Sequence, residues 1–384
     1  MKKLKVLILS GSTGGGHVKA ASSLEAYSEY FSSNAEFHNI DVIRYMTFFF
    51  KKFYADAYIN IVNNYPTIFK HLYNLTDCDK ESNYLISQLR YHSENLFTGI
   101  IRYKIKRMNP DFIIFTHFLP AEHFNKTIFN EKYAKKYAVV VTDFDVHWLW
   151  VQPHIDFFFV ANEEAASKLE KRGINKEKIF ITGIPIEPPF SKSYDKPTIR
   201  KQLNIAQDLT TILFMSGAAG VGKIDELIKF IMEKVNKPFQ LLALTGTNKQ
   251  LYKKVKDLEL QYPGKIKAVP FTNKVYEYMA ASDFSITKTG GLTTSECLAM
   301  GLPIISVNPI PGQEERNTLY LLENGAALSA FDEECLLYRV EKLLTDKELL
   351  LQMQQKAKSI SKPLAAYNIL KTLLESIKNS NLES

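Results

Sequence analysis

The chain has 384 residues, a length that suits two domains of ordinary size. Its hydrophobic content of 46% and charged content of 23% are typical of a folded globular protein and exclude extended disorder. Three cysteines without metal-binding spacing exclude a disulfide scaffold and favour a reducing, cytoplasmic setting. No apolar run approaches the roughly 18 to 20 residues needed to span a bilayer, and the lysine-led start resembles a first strand more than a signal peptide.

The first half of the chain alternates predicted strands and helices. "KVLILS" predicts a buried strand, followed by a glycine loop and the helix "HVKAASSLEAYSEYF". Further strands are predicted at "PDFIIFTH", "YAVVVTDF", "IDFFFVAN" and "KIFITGIP", with a helix at "EEAASKLEKRG" that ends at Gly173. The proline-rich "PIEPPFSKSYDKP" predicts a linker, so residues 1–188 are expected to form an N-terminal Rossmann-like domain.

The second half starts the alternation again, from "TTILFMSG" through "FQLLALTG" to "PIISVNP". This predicts a second Rossmann-like domain over residues 189–363, and an α/β fold class with parallel sheets. The tail "AAYNILKTLLESIK" has one apolar helical face, and we expect this helix, within residues 364–384, to pack on the first domain. Because ligands of such sheets bind beyond the carboxyl ends of the strands, the active site is predicted between the two domains.

The loop "GSTGGGH" is the first candidate site. Gly15 and Gly16 let the backbone approach a ligand, and the helix that follows offers unpaired N–H groups. His17 at a helix start is expected to be neutral, which suits a general base. The loop matches neither the dinucleotide fingerprint nor a Walker loop, and the alternative is a tight turn with a structural histidine.

The second candidate, "GAAGVGKI", nearly spells a phosphate-binding P-loop. Ile224 replaces the Mg²⁺-binding hydroxyl residue, which argues against nucleotide hydrolysis. A loop with Gly217, Gly220 and Gly222 before a helix still suits a diphosphate.

"TDFD" places Asp143 and Asp145 in a D-x-D pattern that is typical of Mn²⁺-dependent sugar transferases. Without a third acidic partner, we do not predict a metal site. Asp143 is predicted to orient an acceptor or a histidine such as His147, or to cap the backbone.

"TKTGGLTTSECLAMGLP" is the most specific stretch. It predicts a turn at Gly290 and Gly291, then a helix that starts at Thr293 to Ser295 with Glu296 in its first turn. There Glu296 either binds the two hydroxyls of a ribose or only complements the helix dipole.

Between Arg44 and Arg107 there are ten Lys/Arg residues against five Asp/Glu, within a net charge of +7 for the whole chain. Aromatic and basic residues alternate there: Phe49, Phe50, Lys51, Lys52 and Phe53. Either this region is a helical core face with a solvated edge, or it rests on an anionic membrane surface. Without a recognised motif, the charge does not indicate nucleic acid.

These motifs together resemble a known family. "TKTGGLTTSECLAMGLPIISVNPIPGQEERNTLYLLENGAA" is similar to the donor-site segment of monogalactosyldiacylglycerol synthases and processive diacylglycerol glucosyltransferases. "GSTGGGH", "TDFDVHWLW", "TGIPI" and "MSGAAGVGK" follow in the expected order, so the resemblance covers nearly the whole chain. It implies a GT-B fold, with two Rossmann-like domains facing across a cleft, and transfer with inversion from UDP-glucose or UDP-galactose to diacylglycerol or a glycosyl-diacylglycerol. It implies no cofactor or metal, and a peripheral position on the cytoplasmic face of the cell membrane.

The resemblance also implies roles for single residues. The loop from Gly217 to Gly222 would hold the diphosphate, the backbone near Phe271 the uracil, and Glu296 the ribose. Gln313 and Glu314, in the polar loop "NPIPGQEERN", would face the hydroxyls of the donor sugar, supported by Asn317. His17 would be the base, and the remaining acceptor-side or membrane-side positions would be His147, Trp148 and the segment from Arg44 to Arg107.

One departure from the family pattern is Glu187, where some relatives have an arginine that can neutralise donor phosphate. The positive charge that neutralises the donor phosphate is then expected from a helix N-terminus and Lys223, or the diphosphate binds differently. Two alternatives stay open: transfer, for example of N-acetylglucosamine, to a polyprenyl-linked or other lipid, and a non-catalytic UDP-sugar sensor.

Overall fold

A computed structural model describes residues 3–12, 15–45, 65–77, 99–122, 133–216 and 224–380. The chain divides into two compact units. The first comprises Met1–Pro188, Pro311–Gln313 and Leu364–Ser384, and the second comprises Pro189–Ile310 and Glu314–Pro363. Each unit is built on its own parallel sheet.

The sheet of the first unit has six strands in the order β2-β1-β3-β4-β5-β6, all parallel. The strands are β1 (Leu4–Ser10), β2 (Ala35–Asp41), β3 (Phe112–Phe115), β4 (Lys136–Val140), β5 (Phe157–Val160) and β6 (Ile179–Ile181). The helices are α1 (Gly15–Tyr27), α2 (Pro66–Thr76), α3 (Gly99–Met108), α4 (Glu163–Lys171) and the last helix of the chain, Ala365–Ser380, with 3₁₀ turns at Ser28–Phe31, Val42–Tyr45, Trp148–Trp150 and Lys176–Lys178.

Both faces of this sheet are buried, as a parallel sheet requires. Successive residues of β1 point to opposite faces, so Leu7 and Leu9 enter one core while Val6 and Ile8 enter the other. The second core also takes the apolar face of the last helix, whose buried residues are Ala366, Ile369, Leu370, Leu373 and Leu374. That helix therefore covers the same face of the sheet as α1.

The sheet of the second unit has the strand order β12-β11-β10-β7-β8-β9. Its strands are β7 (Thr210–Met215), β8 (Phe239–Leu244), β9 (Ile266–Val269), β10 (Phe284–Thr287), β11 (Ile304–Val307) and β12 (Ala327–Ala330). Its helices are α5 (Lys196–Gln202), α6 (Ile224–Lys234), α7 (Lys249–Gln261), α8 (Val275–Ala281), α9 (Gly291–Ala299), α10 (Gln313–Glu323), α11 (Glu333–Thr345) and α12 (Lys347–Ser359), after a 3₁₀ turn at Pro188–Ser191. The last helix of the chain is therefore α13.

Each sheet reverses its strand order once, between β1 and β3 in the first unit and between β7 and β10 in the second. The second order is that of the dinucleotide-binding Rossmann sheet. In such sheets ligands bind outside the carboxyl ends of the strands where the order reverses. The loops after β1 and β3, and those after β7 and β10, therefore lie at the expected ligand-binding positions.

The predicted α/β class with two parallel sheets is confirmed. The sequence patterns missed two strands, β2 and β12, which lie at sheet edges. Their burial is incomplete, with only two buried residues in each. The apolar signal of these strands is correspondingly weak.

An ion pair between the buried Arg200 and the half-buried Asp283 secures the amino ends of two strands of the second sheet. The Arg200 guanidinium donates to the Ala281 carbonyl at 2.9 Å and to the Asp283 carboxylate at 2.8 Å. The same carboxylate accepts from the Thr211 backbone N–H at 2.7 Å. Arg200 thus ties helix α5 to the strands β7 and β10.

We expect Arg200→Met to lower the free energy of unfolding of the second unit by about 1–3 kcal/mol, because the half-buried Asp283 carboxylate loses one charged partner and keeps the other, Lys196. The urea midpoint of the full-length protein, followed by circular dichroism, measures the effect. Lys201→Met on the exposed side of α5 is the matched control and should leave the midpoint within error. Equal midpoints for the two variants would contradict the role given to Arg200.

Candidate active site

His17 lies where the first sheet reverses its strand order, as the third residue of α1. Its Nδ1 lies 2.9 Å from the carbonyl oxygen of Thr116, which follows β3, and the Thr116 hydroxyl donates to the His17 carbonyl at 3.0 Å. A carbonyl oxygen can only accept, so the imidazole proton is on Nδ1. This assignment leaves the lone pair on Nε2, as a general base needs.

The surroundings of His17 keep it neutral. Burial lowers its pKa, while the nearby carboxylate of Asp143 and the hydrogen bond to Thr116 oppose this effect, and the balance is a lowered pKa. The hydroxyl of Thr142 also lies 2.9 Å from Nδ1. At neutral pH the imidazole is therefore unprotonated and available to take a proton.

A second histidine, His117, packs against His17. The two ring centroids are 4.3 Å apart with an angle of 71° between the rings, and the centroid of the Trp150 ring is 6.3 Å from that of His17. Sequence reasoning missed His117, since "PDFIIFTH" indicated only a strand. Its position directly beyond the carboxyl end of a buried strand was the available signal.

In the second unit, polar side chains tie the start of α10 to the loop after β10. The Thr289 hydroxyl donates to the Glu314 carbonyl at 2.9 Å, and the Asn317 amide donates to the Thr289 carbonyl at 2.9 Å. The Thr318 hydroxyl lies 2.6 Å from that of Thr289 and 3.0 Å from that of Ser306. These buried groups fix the Gly290 turn relative to α10.

Glu314 lies beside this glycine turn. One carboxylate oxygen, Oε2, accepts from the Ile310 backbone N–H at 2.7 Å. The other, Oε1, would lie 3.4 Å from a Cβ atom built on Gly290, which is van der Waals contact. Glu314 thus shapes the polar loop before α10, a structural task that the sequence analysis did not predict.

Helix α9 begins earlier than predicted, so the placement of Glu296 in its first turn is wrong. The backbone of Gly290 is extended and forms the N-cap, and its carbonyl accepts from Thr294 N–H at 2.9 Å. The Ser295 hydroxyl donates back to the Gly291 carbonyl at 2.9 Å and caps nothing. Glu296 is buried in the second turn, too far along the helix to serve the dipole at its start.

Comparison with known proteins matches the two halves of the chain to two family models. Residues 17–186 match the model for monogalactosyldiacylglycerol (MGDG) synthase, and residues 211–373 match that for the glycosyltransferase family 28 C-terminal domain. The processive diacylglycerol beta-glucosyltransferase of Bacillus licheniformis is 30% identical over 96% of this chain and 94% of its own. The chain belongs to the monogalactosyldiacylglycerol synthase and processive diacylglycerol glucosyltransferase family. The enzyme of the same name from Bacillus pumilus is 30% identical over 97% of this chain and 94% of its own.

Solved structures agree on the fold of this glycosyltransferase. MurG of Acinetobacter baumannii superposes with a TM-score of 0.61 at 15% identity, covering 98% of this chain and 100% of MurG. S. aureus MnaA, solved with UDP, gives a TM-score of 0.62 at 14% identity and covers 98% of this chain and 97% of its own. The predicted GT-B fold is confirmed.

In this family member, His147 and Trp148 hold the carboxyl end of α2. His147 Nδ1 accepts from Leu149 N–H at 3.2 Å, and its Nε2 lies 3.1 Å from the Tyr73 carbonyl. Trp148 donates its backbone N–H to Asp77 at 2.9 Å, and its ring lies 4.6 Å from the Arg172 guanidinium carbon. Their contact with an acceptor stays a prediction.

The two acidic residues of the D-x-D pattern have separate surroundings. Asp145 binds the Lys168 ammonium through both oxygens, at 2.8 and 2.9 Å, whereas Asp143 is buried and acts on the pKa of His17. Within the described ranges, no cluster of three or more His, Cys, Asp or Glu side chains could hold a metal ion. Metal independence of the glycosyltransferase stays a prediction.

The remaining predicted site residues divide into placed and undescribed ones. Gly15 and Gly16 open α1, Gly291 and Thr293 lie in the first turn of α9, and Gln313 begins α10. Phe271 follows β9 and is 58% exposed. Outside the described residues lie Gly217, Gly220, Gly222, Lys223 and the group Phe49, Phe50, Lys51, Lys52 and Phe53.

Asp143→Asn should lower the pKa of His17 further, because it removes the negative charge that raises it. The acidic limb of the pH profile of kcat/KM should therefore move to lower pH. Steady-state rates between about pH 4.5 and 8 measure it, and an NMR titration of His17 gives the same pKa without turnover. A limb that moves to higher pH, or stays in place, would contradict the electrostatic role of Asp143.

Proposed function

We propose that this glycosyltransferase moves a hexose from UDP-glucose or UDP-galactose to the hydroxyl of diacylglycerol or of a glycosyl-diacylglycerol, with inversion at the anomeric carbon. The near full-length likeness to two processive diacylglycerol beta-glucosyltransferases supports the acceptor class. The match to the glycosyltransferase family 28 C-terminal domain supports a nucleotide-sugar donor. The observation that carries the mechanism is the hydrogen bond from His17 Nδ1 to the Thr116 carbonyl.

The proton of the acceptor hydroxyl passes to Nε2 of His17 while the hydroxyl oxygen attacks the anomeric carbon. The bond between that carbon and the diphosphate oxygen breaks, and UDP leaves with the electron pair. Since attack comes from the face opposite UDP, the configuration inverts. The imidazolium that forms is stabilised by the carboxylate of Asp143, whose charge favours the protonated ring.

On the donor side, we propose that the start of α9 and the loop of residues 217–223 bind the diphosphate through backbone N–H groups. Glu296 would bind the ribose hydroxyls. Its buried position beyond the first turn of α9 argues against the alternative, in which it only complements the helix dipole. Gln313 and the Oε1 oxygen of Glu314, which faces the Gly290 turn, would bind hydroxyls of the donor sugar. No metal or cofactor enters this scheme.

Helices α2 and α3 supply a surface suited to a membrane. Helix α2 exposes Ile68, Leu72 and Leu75, which are spaced as one helical stripe, and α3 exposes Ile100 and Tyr103. Basic residues lie in the same turns of α3: Lys104, Lys106 and Arg107. No helix in the described part of the chain could span a bilayer. We propose peripheral binding to the anionic inner face of the cell membrane, where a lipid acceptor is available.

The first experiment is a transfer assay with purified protein and anionic vesicles that contain diacylglycerol. Radiolabelled UDP-glucose and UDP-galactose are supplied separately, and the lipids are resolved by chromatography. Label in a glycolipid from one donor supports the proposal and names the sugar. Measurable UDP binding without labelled glycolipid from either donor would overturn it and direct the assay to polyprenyl-linked acceptors.

His17→Ala should reduce kcat by about 10²–10⁴-fold, because it removes the general base. UDP binding, measured by calorimetry, should stay within a few-fold. Glu296→Ala should instead weaken UDP binding, and Glu323→Ala, an exposed carboxylate of the same unit, is its control. Near-normal turnover of His17→Ala would contradict the assignment of the base.

Leu72→Asp should weaken binding to anionic vesicles by about tenfold, since it removes one apolar anchor from the membrane. Cosedimentation with vesicles at fixed ionic strength measures the affinity. Asn74→Asp adds the same charge to α2 away from the apolar stripe and is the matched control. Equal losses for the two variants would show that charge alone accounts for the effect, against an apolar contact.

A further inference from the structure

We propose that His117 is a positioning residue, whose neutral ring holds the His17 imidazole in the orientation that directs Nδ1 to the Thr116 carbonyl. The proposal rests on the function proposed above, in which His17 is the base. It assigns to His117 no contact with substrate. Its role is to keep the base aligned through each turnover.

The rings around His17 form a connected set. His117 is 1% exposed, and its ring meets that of His17 edge to face, an arrangement that aromatic pairs favour. The His117 ring also stacks on Phe118, with centroids 4.4 Å apart. Phe118 packs against Trp150 at 6.2 Å, and Trp150 returns to His17 at 6.3 Å. Rotation of the His17 ring would disturb the contacts of this set.

The hydrogen bonding of His117 keeps its ring neutral. The Leu119 backbone N–H donates to Nδ1 at 3.0 Å, so the single ring proton is on Nε2. If Nδ1 were protonated, its N–H would face the Leu119 N–H, and two buried donors would lack an acceptor. When His17 becomes an imidazolium, its neighbour therefore adds no like charge.

Gly11 provides the space for this ring. A Cβ atom at position 11 would lie 3.2 Å from Cγ and 3.4 Å from Cδ2 of His117, tighter than most such contacts. A methyl group there would therefore press on the face that His117 presents to Gly11 and shift the ring by a few tenths of an ångström. Packing against the His117 ring therefore accounts for the first glycine of the "GSTGGGH" loop.

The groups that face His17 come from three segments. His117 and Thr116 follow β3, and Thr142 and the charged Asp143 follow β4. Trp150 belongs to the 3₁₀ turn Trp148–Trp150. Of these, the rings of His117 and Trp150 contribute apolar surface to the burial that lowers the pKa of His17. Loss of the His117 ring should admit water and raise the pKa of His17 toward its ordinary value.

Two substitutions separate the ring from the hydrogen bond. His117→Phe keeps an aromatic ring and loses the acceptor for Leu119 N–H. His117→Asn keeps an acceptor near the Nδ1 position and loses the ring. If the ring positions His17, kcat of the Phe variant should stay within about threefold, while that of the Asn variant falls about 10- to 100-fold with little change in the KM for the donor.

The pKa of His17, read by NMR titration of the full-length chain, should rise in His117→Asn and hold in His117→Phe. Normal kcat and normal His17 pKa in His117→Asn would overturn the proposal, as would an active Asn variant beside an inactive Phe variant. Because the titration needs no turnover, it also tests the positioning role if no diacylglycerol transfer is found. In that case the proposed function fails and the contact between the two histidines is judged separately.

Gly11→Ala provides a second test if a His117 variant unfolds. The added methyl group should lower kcat about tenfold or more by displacing the ring. In the His117→Asn background, Gly11→Ala should lower kcat much less, because the ring that the methyl group displaces is absent. An equal cost of Gly11→Ala in both backgrounds would overturn the proposal.

Discussion

The site of the first unit depends on the hydrogen bond between Nδ1 of His17 and the carbonyl of Thr116. It joins residues 99 positions apart, which meet because β1 and β3 are neighbours where the sheet reverses. A carbonyl accepts and never donates, so this one contact decides which ring nitrogen is basic. Thr142, Asp143 and the two aromatic neighbours then tune a base whose orientation is already set.

In the second unit, polar side chains near the candidate donor site first satisfy the hydrogen-bonding groups of the surrounding loops. Buried polar groups require partners, and two strand-to-helix connections, from β10 to α9 and from β11 to α10, meet at the start of α10. Thr289, Asn317 and one oxygen of Glu314 satisfy that requirement locally. The polarity of "NPIPGQEERN" is therefore shared between holding the loop and, as proposed, recognising the sugar. A polar residue near a ligand-binding edge is not by that fact a ligand contact.

The sequence predicted the central strands and the α/β class, since buried parallel strands such as "FIIF" and "FFFV" are almost wholly apolar. It failed at the edge strands β2 and β12, whose sequences "AEFHNID" and "ALSA" contain polar or small residues and lack a continuous run of large apolar ones. It placed the start of α9 too late. Thr293 has a better side chain for an N-cap than Gly290, but the helix begins after Gly290. Local propensity thus found the elements and mislocated an end.

The contact between His17 and His117 lay beyond such reasoning, since it depends on the parallel pairing that sets Leu9 beside Phe115. The same limit applies to "WLW". Its spacing gives no preference between the two tryptophans, yet the 3₁₀ turn sends Trp148 to Arg172 and Trp150 to His17. Motif order is enough to assign the family because the motifs lie along one chain. A residue's role depends instead on which side chains meet across the sheet. The chemistry of this site can therefore be inferred only from the arrangement in which β1, β3 and β4 are neighbours.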